Sequence, residues 1–146
     1  MKLKSARLVD VLSHLDSKVE FGRTLTVFAG TSDSGKSTVL RGLRQTFRNE
    51  PAGIDLLRHA AKRGACSEVD VSCVNDDGAA FTIKRVRGKS RNAYEIDGQP
   101  ILAFGQDVPE EVTKLLRLSP YAFQVQSDNN FMLSANAGTV SKILSS

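Results

Sequence analysis

Eight consecutive residues constrain the fold of this chain more than any other segment. They read Gly30-Thr31-Ser32-Asp33-Ser34-Gly35-Lys36-Ser37 and match the pattern G-x-x-x-x-G-K-[ST] at every fixed position. The run 25–29 before them is rich in β-branched and aromatic residues and has no charge, which predicts a strand buried on both faces. After them, apolar residues recur every three or four positions and predict an amphipathic helix over 35–48. A strand, this loop and a helix, in that order, predict a phosphate-binding loop.

Each fixed position of the loop has a chemical reason. Gly30 and Gly35 permit backbone angles and a close approach that a Cβ would block. The successive N–H groups of the loop form an anion nest, which the positive end of the following helix reinforces. Lys36 is expected between the β- and γ-phosphates, and Ser37 Oγ is expected to ligate Mg²⁺. We therefore predict that ATP and Mg²⁺ are held by Gly30, Ser32, Asp33, Ser34, Gly35, Lys36, Ser37 and Thr38. The alternative is a glycine-rich turn with an exposed lysine.

Composition removes several other classes of protein. The chain has 146 residues, of which 40% are hydrophobic, and this suffices for one core and one domain. A formal charge of +4 permits an anionic partner without requiring one. We expect a cytoplasmic protein, because no apolar run could span a bilayer and the start does not resemble a signal peptide. Cys66 and Cys73 are too few for a disulfide scaffold or a zinc site.

The remaining patterns predict a single α/β domain that contains a mixed sheet. Strands are expected near 3–9, 19–21, 68–74, 81–86, 93–96, 101–104 and 121–126, and helices near 54–62, 109–117 and 138–144. The segment 68–74 alternates apolar and polar side chains, as a half-buried strand does. Turns are expected at 76–78 and 97–98, where Asp precedes Gly.

Several segments, taken in their order, resemble one family. They are Met1-Lys2-Leu3, Ser13-His14-Leu15-Asp16-Ser17, Val19-Glu20-Phe21, Phe81-Thr82-Ile83-Lys84-Arg85, Tyr94-Glu95-Ile96-Asp97-Gly98 and Asp107-Val108-Pro109-Glu110-Glu111-Val112. With the loop, they resemble the N-terminal lobe of SbcC/SMC-like ABC ATPases, which include the ATPase subunits of double-strand-break processing nucleases. The resemblance implies that residues 1–146 form a single ATP-binding lobe. In this lobe, a mixed sheet with an antiparallel β patch packs around the helix of the phosphate loop.

The resemblance also assigns residues outside the loop. Ser13 and His14 match family residues that approach the nucleotide, although His14 could instead be a turn histidine bonded to backbone. A family glutamine ligates Mg²⁺ and senses the γ-phosphate, and Gln126 matches it best, with Gln124 second. A polar strand end is the alternative for these glutamines.

The sequence departs from the family pattern where Val11 and Leu12 replace aromatic and basic residues and Ser32 replaces the usual loop Asn. Asp33 adds a negative charge, which is acceptable if it faces away or caps the helix and would lower the affinity if it faced the phosphates.

Two hydrolytic motifs of the family have no match in this sequence. They are an apolar strand that ends in Asp-Glu and a Ser-Gly-Gly signature, and in the family both lie in a second lobe beyond a coiled coil. The resemblance therefore implies half of a catalytic head, with no complete catalytic set, whose ATPase activity requires a C-terminal lobe and head dimerisation. The implied partners are that lobe or a complete SMC-like ATPase, a nuclease subunit, the DNA backbone or a second copy. The alternative is a stand-alone mimic of the lobe that regulates or inhibits a complete ATPase or nuclease. A small phosphotransferase is disfavoured, because the segment 68–96 reads as antiparallel strands.

A hairpin rich in basic residues is the last candidate site. Five cations fall within eight residues that include no acid: Lys84, Arg85, Arg87, Lys89 and Arg91. They could bind DNA phosphates without sequence preference and in a salt-dependent manner. The alternative is a solvated edge that discourages aggregation between strands.

Overall fold

The structure is a computed structural model that describes residues 1–101, 107–119, 122–124 and 136–144. Its elements in chain order are β1 (Lys2–Val11), β2 (His14–Glu20), α1 (Lys36–Arg48), β3 (Ser67–Val74), β4 (Ala80–Arg87), β5 (Asn92–Ile96), β6 (Gln99–Ile101), α2 (Glu110–Leu116) and α3 (Ala137–Leu144). The strands form one sheet in the order β2-β1-β3-β4-β5-β6, and each pairing among the described residues is antiparallel.

Helix α1 covers one face of this sheet, and the core lies between them. Its buried residues include Val39, Leu43 and Phe47, which recur at the spacing of one helical stripe. Gly42 brings the helix close to the strands, because a Cβ there would lie 3.2 Å from Leu8 Cδ2. The core cluster also contains Ala6, Val11, Leu56, Val69, Val71, Cys73, Phe81, Ile83, Tyr94, Val112 and Leu116. The result is a helix layer on an antiparallel sheet.

The short turns follow the predicted chemistry. Asp97 and Gly98 have φ angles of 50° and 77°, and they join β5 to β6 in two residues. Positive φ at both positions is typical of a type I′ hairpin turn, which Asp-Gly favours. Pro109 precedes α2, and Glu110 and Glu111 lie in the first turn of that helix, as the helix dipole favours.

Three predictions from the sequence were wrong for the described residues. The sheet is antiparallel rather than mixed. The run 25–29 forms no strand and is not buried, since Leu25 and Val27 are 75% and 74% exposed. Residues 54–62 form turns instead of a helix, because Leu57 makes a β-bridge to Val11 at the end of β1.

The predicted strands 101–104 and 121–126 are described only in part. Strand β6 ends at Ile101, and residues 102–104 lie outside the described residues. Residues 122–124 are not in a strand, and the rest of 121–126 lies outside the description. Within the described ranges, no helix combines the length and the apolar character needed to cross a bilayer.

Candidate nucleotide-binding site

The glycine-rich loop lies between the run 25–29 and the first turn of α1. Gly35 is the N-cap of the helix and has φ 87° and ψ 2°, a left-handed conformation that strains any residue with a Cβ. A Cβ at Gly35 would also lie 2.7 Å from His14 Nε2 and 2.7 Å from Ser13 Oγ. Both observations require glycine at this position, and the second places the β1–β2 turn directly against the loop.

Lys36 turns back over the loop that precedes it. Its Nζ donates hydrogen bonds to the carbonyl oxygens of Gly30, at 3.0 Å, and Thr31, and to Ser34 Oγ at 3.1 Å. All three acceptors are neutral oxygens. Phosphate oxygens are stronger acceptors for an ammonium group, because they carry negative charge and the carbonyl and hydroxyl oxygens do not. The described contacts of this ammonium thus all come from the loop itself.

His14 contacts the loop through the backbone. Its Nε2 lies 3.1 Å from the Gly35 carbonyl oxygen, and its Nδ1 lies 2.9 Å from Ser17 Oγ. A carbonyl oxygen only accepts, so Nε2 carries the hydrogen, and in the neutral ring Nδ1 accepts from the Ser17 hydroxyl. His14 is thus bonded to backbone, and the backbone concerned belongs to the loop itself.

The other predicted nucleotide-binding residues lie in the loop and at the start of α1. Ser37 is exposed in the first turn of α1, where its hydroxyl is accessible to a magnesium ion. Thr38 is buried on the helix. Ser32, Ser34 and Asp33 are exposed, and Asp33 has φ 60°.

The two glutamine candidates are not equally described. Gln126 lies outside the described residues. Gln124 is exposed and lines the same open groove of 1190 Å³ as Ser37. The groove runs along the flank of α1 past Leu40 and Phe47. Of the two, Gln124 is thus the one that the described structure brings to the groove containing Ser37.

The hairpin exposes fewer free basic side chains than its sequence predicts. Arg85 is 1% exposed: its guanidinium lies 4.4 Å from the centre of the Tyr94 ring and donates to Asn49 Oδ1 at 2.9 Å. Its assignment to a DNA-binding surface was therefore wrong. Lys84 Nζ lies 2.7 Å from Glu68 Oε2, and this hydrogen bond raises the pKa of Lys84. Arg87 Nε donates to a backbone carbonyl at 3.0 Å.

Lys89 and Arg91 remain exposed at the tip of the β4–β5 hairpin. The loop before β3 passes this hairpin, because a Cβ at Gly88 would lie 3.2 Å from the carbonyl oxygen of Ala65. Lys62 and Arg63 are exposed in that loop. Sequence reasoning missed this contribution, since the two groups lie more than twenty positions apart along the chain.

Ion pairs neutralise part of the outer face of the sheet. Arg7 forms two hydrogen bonds with the Asp16 carboxylate, at 2.9 and 2.6 Å, which lower the pKa of Asp16. Asp70 lies on the neighbouring strand, opposite Arg7 and Lys84 in the ladder. Partial burial raises the pKa of Asp70 despite these cations. Asp70 is therefore ionised at a cost, whereas Asp16 is stabilised as an anion.

Large apolar side chains are exposed on both sides of the loop. Leu25 and Val27 lie before it, and Leu40, one turn into α1, is 51% exposed. Thr26 and Phe28 alternate with them and are half-buried, and Phe28 packs edge-on against Phe21 with ring centres 6.4 Å apart. The run thus has the period-two burial of a strand with one face left uncovered.

Solved structures share this fold. The SMC head domain from Thermotoga maritima matches with a TM-score of 0.59 and 21% identity, over 69% of this chain and 39% of that one. The recombination mediator protein RecF, solved with ATP, matches with a TM-score of 0.61 and 15% identity, over 69% of this chain and 28% of that one. No protein-family model matches the sequence, and no curated protein matches it significantly. The resemblance to SMC-like ABC ATPases is therefore confirmed at the level of the fold: this chain has the architecture found in part of their heads.

Proposed function

We propose that this chain binds ATP with Mg²⁺ as the N-terminal lobe of an SMC-like ATPase of DNA repair or recombination. Hydrolysis then requires a second lobe and dimerisation of two heads. The observation that carries the proposal is the loop around Lys36, whose ammonium is held by three neutral oxygens that phosphate oxygens can replace. The two structural neighbours, an SMC head and a recombination mediator with ATP, support this class.

The residues divide the binding of ATP and Mg²⁺ between them. The loop amides and Lys36 would hold the β- and γ-phosphates, and Ser37 Oγ would contribute one ligand to Mg²⁺. Gln124 or Gln126 would contribute another. The bound metal would neutralise phosphate charge, and the chain would supply only binding and orientation.

Titration of ATP with Mg²⁺ into the wild type and Lys36→Ala tests the site. Loss of one charge-assisted hydrogen bond is worth about 1.5–3 kcal/mol, so we expect an affinity roughly 10- to 150-fold lower for the variant. Lys62→Ala, which removes an exposed lysine outside the loop, is the matched control and should bind like the wild type. Equal affinities of wild type and Lys36→Ala would reject the proposal.

The uncovered apolar surface supports the second part of the proposal. Leu25, Val27 and Leu40 flank the loop, and exposed leucine and valine on both sides of one site are typical of an interface. The chain spans only 39% and 28% of the matched structures, which leaves room for a covering lobe. We therefore expect the chain alone to bind ATP without appreciable turnover, and steady-state hydrolysis by the wild type alone would contradict this.

The same surface could instead dock on a complete ATPase or on a nuclease subunit, as the regulatory alternative requires. Binding of a separately expressed C-terminal lobe with gain of hydrolysis supports the lobe function. Inhibition of a complete ATPase by this chain would support the alternative.

A DNA contact is a further part of the proposal, at a surface that differs from the predicted one. The exposed cations Lys62, Arg63, Lys89 and Arg91 lie at one end of the sheet and would bind phosphates without sequence preference. Binding measured at two salt concentrations tests this contact.

A further inference from the structure

A hydrogen-bonded link joins the β1–β2 turn to the start of α1. His14 is the first residue of β2, and its position is fixed by its pairing with Val11 in the ladder. From there its Nε2 donates to the Gly35 carbonyl oxygen at 3.1 Å. Gly35 O also accepts from Thr38 N at 3.0 Å, so the carbonyl has two donors on different elements.

The orientation of one peptide unit follows from this link. The carbonyl of Gly35 and the N–H of Lys36 belong to the same planar trans peptide and point in opposite directions. When His14 holds the carbonyl toward the β1–β2 turn, the Lys36 N–H must point away from that turn. Gly35 itself has no side chain that could restrict the rotation of this unit, so its orientation depends on the two donors to its carbonyl, Thr38 N from the helix and His14 Nε2 from β2.

Ser17 contacts the ring of His14 on the side away from the loop. The Gly35 carbonyl only accepts, so Nε2 carries the hydrogen, and the Ser17 hydroxyl, 2.9 Å from Nδ1, donates to that nitrogen in the neutral ring. Because a hydroxyl can donate or accept, Ser17 restrains the orientation of the ring and the carbonyl selects the tautomer. The pair therefore acts as a unit, with Ser17 restraining the ring and His14 holding the loop.

We propose that His14 is a positioning residue, which orients the Gly35–Lys36 peptide and thereby presents the Lys36 N–H to phosphate. The proposal rests on the proposed function for its consequence on ATP affinity, but its structural part concerns the loop alone. His14 needs no contact with the nucleotide in this role.

Three variants test the role. His14→Ala removes the donor, His14→Gln offers an amide N–H at a similar reach, and Leu15→Ala changes an exposed neighbour that makes no described contact with the loop. Three measurements are made on each: the ¹H–¹⁵N resonance of the Lys36 amide without nucleotide, the affinity for ATP with Mg²⁺, and the melting temperature.

We expect His14→Ala to shift the Lys36 amide resonance and to weaken ATP binding about fivefold to tenfold, the effect of one hydrogen bond. His14→Gln should restore most of both, and Leu15→Ala should resemble the wild type. A melting temperature that falls while the resonance and the affinity stay unchanged would overturn the proposal, as would His14→Gln behaving like His14→Ala. Should His14→Ala not fold, His14→Phe replaces it, because it keeps a ring and removes the donor; the same resonance shift is expected, and its absence again overturns the proposal.

Failure of the proposed function gives a different result. If the wild type does not bind ATP with Mg²⁺, the nucleotide function is rejected. The Lys36 amide resonance of the three variants still decides whether His14 orients the loop.

Discussion

Replacing Arg85 by methionine is expected to lower the free energy of unfolding by about 3 kcal/mol. The guanidinium is buried and donates to the carbonyl oxygens of Val86 and Ala93, at 2.9 and 3.0 Å, and to Asn49 Oδ1 at 2.9 Å. It also packs over the ring of Tyr94. Asn49 caps the C-terminal end of α1, so this one side chain ties the helix to the β4–β5 hairpin.

The magnitude follows from these interactions. Three hydrogen bonds from a charged donor contribute roughly 1.5 kcal/mol each at the lower limit. The guanidinium also contributes about 1–2 kcal/mol through the aromatic ring. Against this, burial lowers the pKa of Arg85, which means that folding removes water from its charge at a cost that methionine avoids. The desolvation cost cancels part of what the hydrogen bonds and the aromatic contact contribute. Loss of the guanidinium is therefore expected to destabilise the protein by about 3 kcal/mol.

Denaturant unfolding and thermal melting of the variant measure this destabilisation. For a chain of this size about 3 kcal/mol corresponds to a melting temperature lower by roughly 6–12 °C. Lys84→Met is the matched control, since Lys84 is the neighbouring residue of β4 and makes only a partly exposed ion pair with Glu68. That control should be destabilised by no more than about 1 kcal/mol. Equal stabilities of Arg85→Met and Lys84→Met would refute the structural role of the buried cation.

Two further predictions concern charges on the sheet. Asp70 has a raised pKa in the folded state, so its ionisation opposes folding at neutral pH; Asp16 has a lowered pKa, so its ionisation favours folding. Asp70→Asn should therefore stabilise the protein at neutral pH, and Asp16→Asn should destabilise it. Each difference in stability from the wild type should disappear once the pH falls below both the folded and the unfolded pKa of that carboxyl. Urea unfolding at neutral pH that gives both variants effects of the same sign would contradict this. For the DNA contact, Lys89→Ala with Arg91→Ala should weaken binding and flatten its salt dependence, by about one unit of slope for each phosphate that the variant no longer neutralises. Lys84→Ala removes one charge elsewhere on the hairpin, and an equal decrease of DNA affinity per charge in that variant would reject the contact.

Local patterns predicted those parts of the fold that depend on neighbouring residues. The stripe Val39, Leu40, Leu43 and Phe47 predicted α1 to within one residue of its start, because the face of a helix is set by residues three and four apart. Leu40 is the member of that stripe that the structure leaves exposed. The alternation over 68–74 predicted β3, and the Asp-Gly pair at 97–98 predicted its hairpin turn, for the same local reason. Pairing direction is not local, and the expectation of a mixed sheet was not met.

The period of the residues in β4 predicts that Arg85 is buried. Phe81, Ile83 and Arg85 follow one another at a spacing of two on β4, so they face the same side of the sheet, and all three are buried. A run of basic residues was interpreted from its composition, whereas its period placed one of the cations in the core. The contact with Asn49, 36 positions earlier, could not be predicted, because it depends on where α1 ends against the hairpin.

The run 25–29 shows why a correct inference about residue type gave a wrong prediction of structure. Its side chains are those of a strand covered on both faces, yet Leu25 and Val27 are the most exposed large apolar residues among those described. Apolar composition indicates that a segment is suited to burial, but the residues that would bury it need not belong to the described part of the chain. Under the proposed function, this exposed face is where a second lobe would pack.

The loop is held by contacts within the described structure, whereas the apolar run 25–29 before it is left partly uncovered. The contacts that shape the loop all lie within this chain: Gly35 rests on the β1–β2 turn, and Lys36 is held by the loop itself. The apolar residues that flank the loop have no such cover in the described structure. Under the proposed function these two facts separate binding from hydrolysis. Affinity for ATP should be nearly the same with and without the second lobe, whereas turnover should appear only with it. A covering lobe that raised ATP affinity many-fold would instead mean that the loop is not preformed, and the internal contacts of Lys36 and Gly35 would then be too weak to hold it.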